Sequence, residues 1–415
     1  MITFPEPERA EGQSDALLLA CEPLPTVRIA FIGLGKRGKE AFNHYLHIEG
    51  VRIVAICDIH QEKIDFAQNL LREHGLDRAA EYRNPEGWRA VCERNDIDLV
   101  YVCTHWHLHV PIATYAMTKG KHVAVEVPAA LTLHECWQLV NTAEKTRRHC
   151  FMLENCCYDY FEMAILNMVQ QGVLGEIVHC EGGYIHDLRA LDFSLKPEYL
   201  RFWSFSGNPY PTHGLGPICQ VLNIHRGDRL HWLVSVSGNQ FGYPRVEGFD
   251  LRKLNRLGNM NTTIIKTIKG KTIVLQHDIT SPRPYSRNYL VSGTRGFAQK
   301  RSQPEIALEP NASETLKAED YNQLLARYEH PFYRELGELA RRVGSHGGMD
   351  FIMDYRLIYC LRNGLPLDQD VYDAAEWSSI VELSALSVSN GSTPVEIPDF
   401  TRGAWSHING LRFAE

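Results

Sequence analysis

Val27-Arg28-Ile29-Ala30-Phe31-Ile32-Gly33-Leu34-Gly35-Lys36-Arg37-Gly38 is the stretch that decides the fold. A compact β-rich run ends in Gly33, and the G-x-G-x-x-G spacing that follows opens a helical stretch. Such glycines serve a tight turn, a close backbone approach to a pyrophosphate, and close packing of helix on strand. The N–H groups at the helix start have no intrahelical partners and are offered to the phosphates. Asp58 follows the next apolar run, Val51 to Cys57, and stands 20 residues after Gly38. A carboxylate there accepts from the ribose hydroxyls and repels a 2′-phosphate, so the spacing predicts NAD rather than NADP.

Outward from this motif, apolar strands alternate with helical stretches. Strands are expected over 98–103, 122–127 and 151–153, and helices over 36–47, 61–74, 109–119 and 132–146. That alternation means a parallel sheet with helical crossovers, covered on both faces. After Asn155 the pattern changes. One more helix is expected at 160–171, and from Ile177 the strands lengthen and alternate, with a hairpin turning at Lys269-Gly270-Lys271. Helices return at 331–343, 351–362 and 371–387. The fold class is therefore α/β: an N-terminal Rossmann dinucleotide-binding domain (26–153), then a C-terminal α+β domain (154–415) with a large, mainly antiparallel, open-faced sheet. Residues 1–25 form an N-terminal extension. An exposed sheet face in the second domain leaves room for a homo-oligomer.

Composition narrows the function classes. The chain has 415 residues, 44% hydrophobic and 22% charged, with 43 Lys plus Arg against 50 Asp plus Glu and a net charge of −7. An acidic chain without a basic block gives no electrostatic reason to bind nucleic acid. No apolar run reaches the ~18 residues of a membrane span. Eleven cysteines without a Cys-x-x-Cys spacing read as buried reduced thiols. The chain as it stands therefore points to the cytoplasm, and export would require that a signal had been removed. Thr104-His105-Trp106-His107-Leu108-His109 places three imidazoles at alternate positions. A metal set is one reading, but no nearby carboxylate or cysteine completes it, and packing against a dinucleotide at the sheet's carboxyl edge is favoured. No metal is expected.

Glu126-Val127-Pro128 stands where the glucose–fructose oxidoreductase and inositol dehydrogenase family typically has Glu-Lys-Pro, and the whole chain resembles that family. The lysine that carries a proton in most such dehydrogenases is here Val127, which argues against a net sugar dehydrogenase. Further blocks resemble one branch, glycoside hydrolase family 109, the NAD-dependent α-N-acetylgalactosaminidases. They include Glu154-Asn155-Cys156-Cys157-Tyr158, Tyr210-Pro211-Thr212-His213-Gly214, Ser281-Pro282-Arg283-Pro284-Tyr285 and His346-Gly347-Gly348-Met349-Asp350. Ser345 departs from the family's Gly-Gly-His-Gly-Gly loop.

The resemblance implies retaining hydrolysis of a terminal α-linked N-acetylgalactosamine by transient oxidation at carbon 3, elimination, water addition and re-reduction, without net redox change. It also implies residue roles. Tyr184, His213 and His346 are catalytic; Tyr184, Arg201, Tyr210, His213 and Tyr285 bind the sugar. Gly33, Gly35, Lys36, Arg37, Gly38, Asp58, Trp106, His107, Leu108, His109, Glu126, Val127 and Asn155 hold NAD. On residues alone, Tyr184 reads as half-buried strand core, His213 as the cap of a helix beginning near Pro217, and His346 as an exposed loop tip. The competing functions are a net NAD-dependent sugar dehydrogenase and an NAD-bound protein without catalysis.

Overall fold

The computed structural model describes residues 1–189, 197–241, 257–301 and 303–414. They fall into two compact units. The first comprises Pro7–Tyr158, Phe332–Ala375 and Arg412–Glu415; the second comprises Met1–Glu6, Asp159–Pro331 and Glu376–Leu411.

In the first unit strands and helices alternate as β1 (Val27–Ile32), α1 (Lys36–Tyr45), β2 (Val51–Cys57), α2 (Gln61–Glu73), β3 (Ala80–Tyr82), α3 (Gly87–Glu93), β4 (Leu99–Val102), α4 (Trp106–Thr118), β5 (His122–Val125), α5 (Leu133–Thr146) and β6 (Cys150–Met152). The strands pair in parallel in the order β3-β2-β1-β4-β5-β6, the doubly wound arrangement expected for a dinucleotide site. Ile29, Phe31, Val100 and Val123 are all fully buried, as covered faces require. Thr132 caps α5 in a reciprocal box with Glu135, an arrangement worth about 1 kcal/mol. Helix α4 begins at Trp106, three residues earlier than expected, because His105 is extended at its N-cap. The short pair β3 and α3 carries too few periodic residues to be read from sequence.

The second unit contains α6 (Tyr160–Gln170), β7 (Ile177–Ile185), α7 (Thr212–Val221), β8 (Leu230–Ser237), β9 (Asn261–Thr267), β10 (Thr272–Asp278), β11 (Tyr289–Gly293), β12 (Gly296–Lys300), β13 (Pro304–Leu308) and α8 (Ala318–Arg327). Next along the chain, α9 (Pro331–Val343) and α10 (Met349–Asn363) return to the first unit but for Pro331, α11 (Val371–Ser389) runs from the first unit into the second, and β14 (Val395–Glu396) lies in the second. The sheet of the second unit runs β13-β12-β11-β7-β10-β9-β8-β14, and among its described strand pairs β10–β7 is parallel and the rest antiparallel. The hairpin turn falls at the expected place: Thr267 N–H donates to the Lys271 carbonyl, and Gly270 takes the positive φ of +88° the turn requires. Asp159 and Glu162 at the start of α6 pair with Arg287 and Lys300, which ties that helix to the sheet. Val178, Val236 and Ile264, on β7, β8 and β9, are exposed.

Helix α7 begins at Thr212, not near Pro217, so His213 lies in its first turn and is not a cap. Glycines set the seating of this helix on β7. A Cβ on Gly182 would stand 2.2 Å from the Gly214 carbonyl oxygen, and one on Gly214 would stand 2.3 Å from the Gly183 nitrogen. No side chain fits there, so backbone meets backbone. Gly214→Ala is therefore expected to lower stability by about 1–3 kcal/mol through overpacking. The urea midpoint should fall, and an unchanged midpoint would show that the helix seats elsewhere.

Candidate active site

The predicted cofactor residues gather at the carboxyl ends of five parallel strands: Gly33 to Gly38 after β1, Asp58 after β2, Trp106 to His109 after β4, Glu126 and Val127 after β5, and Asn155 after β6. This is the edge on which ligands bind in open α/β sheets. Gly33 has φ +91°, and a Cβ there would lie 2.4 Å from the Cys103 carbonyl oxygen. A Cβ on Gly38 would lie 2.2 Å from the Gly33 carbonyl oxygen, so the loop closes on itself without room for side chains. Gly35 differs, because nothing described lies within 4 Å of the position its Cβ would take. The opening lies at the start of α1, where no side chain caps the helix. An open cradle before uncapped N–H groups fits a pyrophosphate.

Asp58 shapes this loop. Its Oδ2 accepts from Leu34 N–H at 2.7 Å and its Oδ1 from His60 N–H at 2.9 Å. Lys36 is exposed and lies 3.8 Å from Glu40. Trp106 and His109 are buried while His107 is exposed. The nitrogens of His109 face the carbonyls of Pro128 (2.9 Å) and Thr104 (3.2 Å), whereas His105 and His107 stack with ring centroids 5.8 Å apart. His109 thus sits apart from the stacked pair His105 and His107.

Arg37 stands at the centre of a charged network. Its Nε donates to Glu126 Oε1 at 3.3 Å, Nη1 to Glu40 Oε2 at 2.9 Å, and Nη2 to Asp350 Oδ1 at 3.1 Å. Burial opposes the guanidinium charge, yet Glu126 and Asp350 outweigh it and raise the pKa well above its ordinary value. For Asp350 burial likewise opposes charge, but Arg37 and the hydrogen bond from His346 hold it below the usual carboxylate range. Glu126 goes the other way, raised by burial against the pull of Arg37. His346 reaches Asp350 Oδ2 through Nδ1 at 2.6 Å, and Asn155 Nδ2 donates to Asp350 Oδ1 at 2.5 Å. Val127, buried and apolar, offers no proton.

The second unit assembles an aromatic group around Tyr184. The Tyr184 ring centroid lies 4.9 Å from Tyr210, 5.8 Å from His213 and 6.4 Å from Tyr285; Tyr210 and His213 are 4.9 Å apart. Four of the five predicted sugar-binding residues are therefore brought together. Tyr285 is half exposed. Arg201 lies on the 3-10 turn Pro197–Ser204 beside Phe202, whose ring is 5.6 Å from Tyr210.

Sequence reasoning missed His186 and His277. His186 stacks 5.7 Å from Tyr184 and lies 5.2 Å from Tyr285; burial lowers its pKa. His277 is fully buried, sits directly opposite Tyr184 in the β10–β7 register, and is pushed down to about 4 by burial. The signal for His186 was available, since residues two apart on a strand share a face. His277 required the parallel pairing, which no local pattern states. Asp350 was also missed as a site residue, although its spacing of four from His346 is the helical neighbour distance.

Residues 27–154 match the oxidoreductase family with NAD-binding Rossmann fold, and residues 158–407 match the glycosyl hydrolase 109 C-terminal domain. An alpha-N-acetylgalactosaminidase of Bacteroides fragilis is 55% identical across 97% of this chain and 98% of its own length. A glycosyl hydrolase family 109 protein of Phocaeicola vulgatus is 53% identical across 94% and 98%. Among solved structures, a levoglucosan dehydrogenase in complex with NADH and levoglucosan has a TM-score of 0.69 at 17% identity, covering 90% of this chain and all of that one. An inositol dehydrogenase homologue from Azotobacter vinelandii, complexed with NAD+, has a TM-score of 0.67 at 19% identity, covering 91% and 99%. These two establish the shared fold. Gly35→Val should fill the open cradle and abolish retention of NAD while changing stability by no more than about 0.5 kcal/mol. Cofactor content after purification checks this, and undiminished NAD would place the pyrophosphate elsewhere.

Proposed function

The chain belongs to glycoside hydrolase family 109, and from that membership we propose that it releases terminal α-linked N-acetylgalactosamine with retention, using NAD as a resident cofactor. The observation that carries this reading is the 55% identity to the Bacteroides fragilis enzyme over nearly the whole of both chains. The local chemistry supports it. The valine at position 127 is incompatible with the lysine-borne proton transfer of the dehydrogenases, whereas the Tyr184–His213 group keeps titratable atoms for a different proton path.

NAD, when bound, supplies reversible two-electron oxidation at carbon 3 of the sugar, which acidifies the neighbouring carbon–hydrogen bond. Gly33 to Gly38, Asp58 and the first turn of α4 would hold it. The remaining work falls to side chains. In this reading His213 takes and returns the proton of the 3-hydroxyl, a transfer suited to an imidazole near neutral pH. Tyr184 moves the proton at carbon 2, and loss of that proton expels the glycosidic oxygen from carbon 1. Its ring is hemmed in by Tyr210, His186 and Tyr285, so the phenol is held in one orientation. His346 serves the leaving group and the incoming water. Tyr210 and Tyr285 offer ring faces to sugar C–H groups and hydroxyls to sugar hydroxyls. Arg201 is an additional polar contact.

Two measurements test this. A chromogenic α-N-acetylgalactosaminide should release its aglycone over many turnovers with no accumulating NADH absorbance. NADH rising in step with product would instead identify a net dehydrogenase, and bound NAD with neither signal would identify a non-catalytic protein. Tyr184→Phe should keep NAD bound but slow exchange of the carbon 2 proton with deuterated solvent by about 10²-fold or more. Wild-type exchange in that variant would remove Tyr184 from the proposed step.

A further inference from the structure

We propose that Asp350 is a positioning residue that fixes the tautomer of His346 and joins that histidine to the dinucleotide motif through Arg37. The proposal rests on the reading above in which His346 moves a proton. It starts from the number of donors converging on one carboxylate. Asp350 Oδ1 accepts from Asn155 Nδ2 at 2.5 Å and Arg37 Nη2 at 3.1 Å. Its Oδ2 accepts from His346 Nδ1 at 2.6 Å, from Arg37 Nη1 at 3.4 Å and from the Ser345 hydroxyl. Asp350 is fully buried at the start of α10, so these donors replace its water.

A carboxylate so surrounded stays ionised, because Arg37 and His346 hold its pKa below the usual range against the opposing effect of burial. An ionised carboxylate only accepts hydrogen bonds. The His346 nitrogen it contacts must therefore bear the hydrogen. In the neutral ring Nδ1 is then the donor and Nε2 the nitrogen with the free electron pair, the form that acts as a base. The charged or titratable groups of this cluster are Asp350 on α10, Arg37 and Glu40 on α1, and Glu126 after β5.

The backbone supports the same function. His346, Gly347 and Gly348 have positive φ of 51°, 72° and 101°, and for histidine such a conformation is uncommon. Conformations of this kind persist where surrounding contacts over-determine them. The His346–Asp350 bond does so here, and a Cβ on Gly348 would strike Ala340 at 2.8 Å, so the loop is folded tightly against the end of α9. Ser345, which stands where the family's loop often has glycine, adds a hydroxyl to the same oxygen that receives His346. In this chain the loop is fastened at two successive residues. Arg37 and Asn155, both on the cofactor edge, hold the carboxylate from the other side, so whatever shifts them is transmitted to the imidazole.

The test uses full-length, ¹⁵N-histidine-labelled enzyme with NAD bound, the His346 signal being assigned by its loss in His346→Ala. Long-range ¹H–¹⁵N correlations read which ring nitrogen carries the proton. In the wild type His346 is expected in the Nδ1–H form; the Nε2–H form would overturn the proposal even if no Asp350 variant folds. Asp350→Asn should convert the signal to a mixture or to Nε2–H, with kcat reduced about 10–100-fold and KM changed far less. Asp350→Glu should restore the Nδ1–H signal and part of kcat. An unchanged tautomer in Asp350→Asn, or a Ser345→Gly variant that scrambles the tautomer as fully as Asp350→Asn, would show that the carboxylate is not the determinant. A changed tautomer with wild-type kcat would leave the positioning role intact and remove His346 from the proposed proton transfer.

Discussion

Two buried carboxylates one turn apart on α10 organise the first unit, and neither is tolerable without partners. Asp354 is fully buried; it faces His44 Nδ1 at 2.9 Å and accepts from Tyr101 Oη at 3.2 Å. Burial raises its pKa, with His44 pulling the other way. Asp350 collects Arg37, Asn155, Ser345 and His346. Removing one partner from such a buried pair typically costs about 3–5 kcal/mol. Residues four apart share one face of a helix, so α10 is fixed in rotation: that face meets Tyr101 of the strand core through Asp354 and Arg37 at the start of α1 through Asp350.

That constraint explains why a helix from residue 349 onward packs with strands that begin at residue 27. Phe31 lies within 5.5 Å of Phe42, Tyr45 and Tyr101, an aromatic cluster next to the hydrogen bonds of Asp354, and His44 meets Phe351 edge-on at 6.2 Å. Dispersion and apolar burial hold the layer together, while the carboxylates choose its register. The second unit solves a different problem. Backbone contact between α7 and β7, possible only without side chains at Gly182 and Gly214, brings the His213 ring beside Tyr184. One site is built from charge, the other from close approach.

The chain combines an NAD-binding Rossmann domain with the C-terminal domain of glycoside hydrolase family 109. Val127, at the end of β5, is buried and carries no titratable atom.

Periodicity and glycine spacing were enough to read the parallel sheet, the hairpin at Lys269-Gly270-Lys271 and the dinucleotide loop, since these depend on interactions between residues near in sequence. Tyr184, His213 and His346 are singled out by resemblance alone, and His213 was misplaced relative to its helix because Pro217 looks like a start and is an interior residue. The placement of His277 and the contacts of Asp350 were not legible. The first depends on which strand lies beside β7, and the second on one helix contacting the first turn of another 313 residues earlier. The chain's local order is thus written in the pattern of its side chains. The pairing of buried charge and the meeting of backbone with backbone were decided in three dimensions, because desolvation and steric exclusion act between neighbours in space.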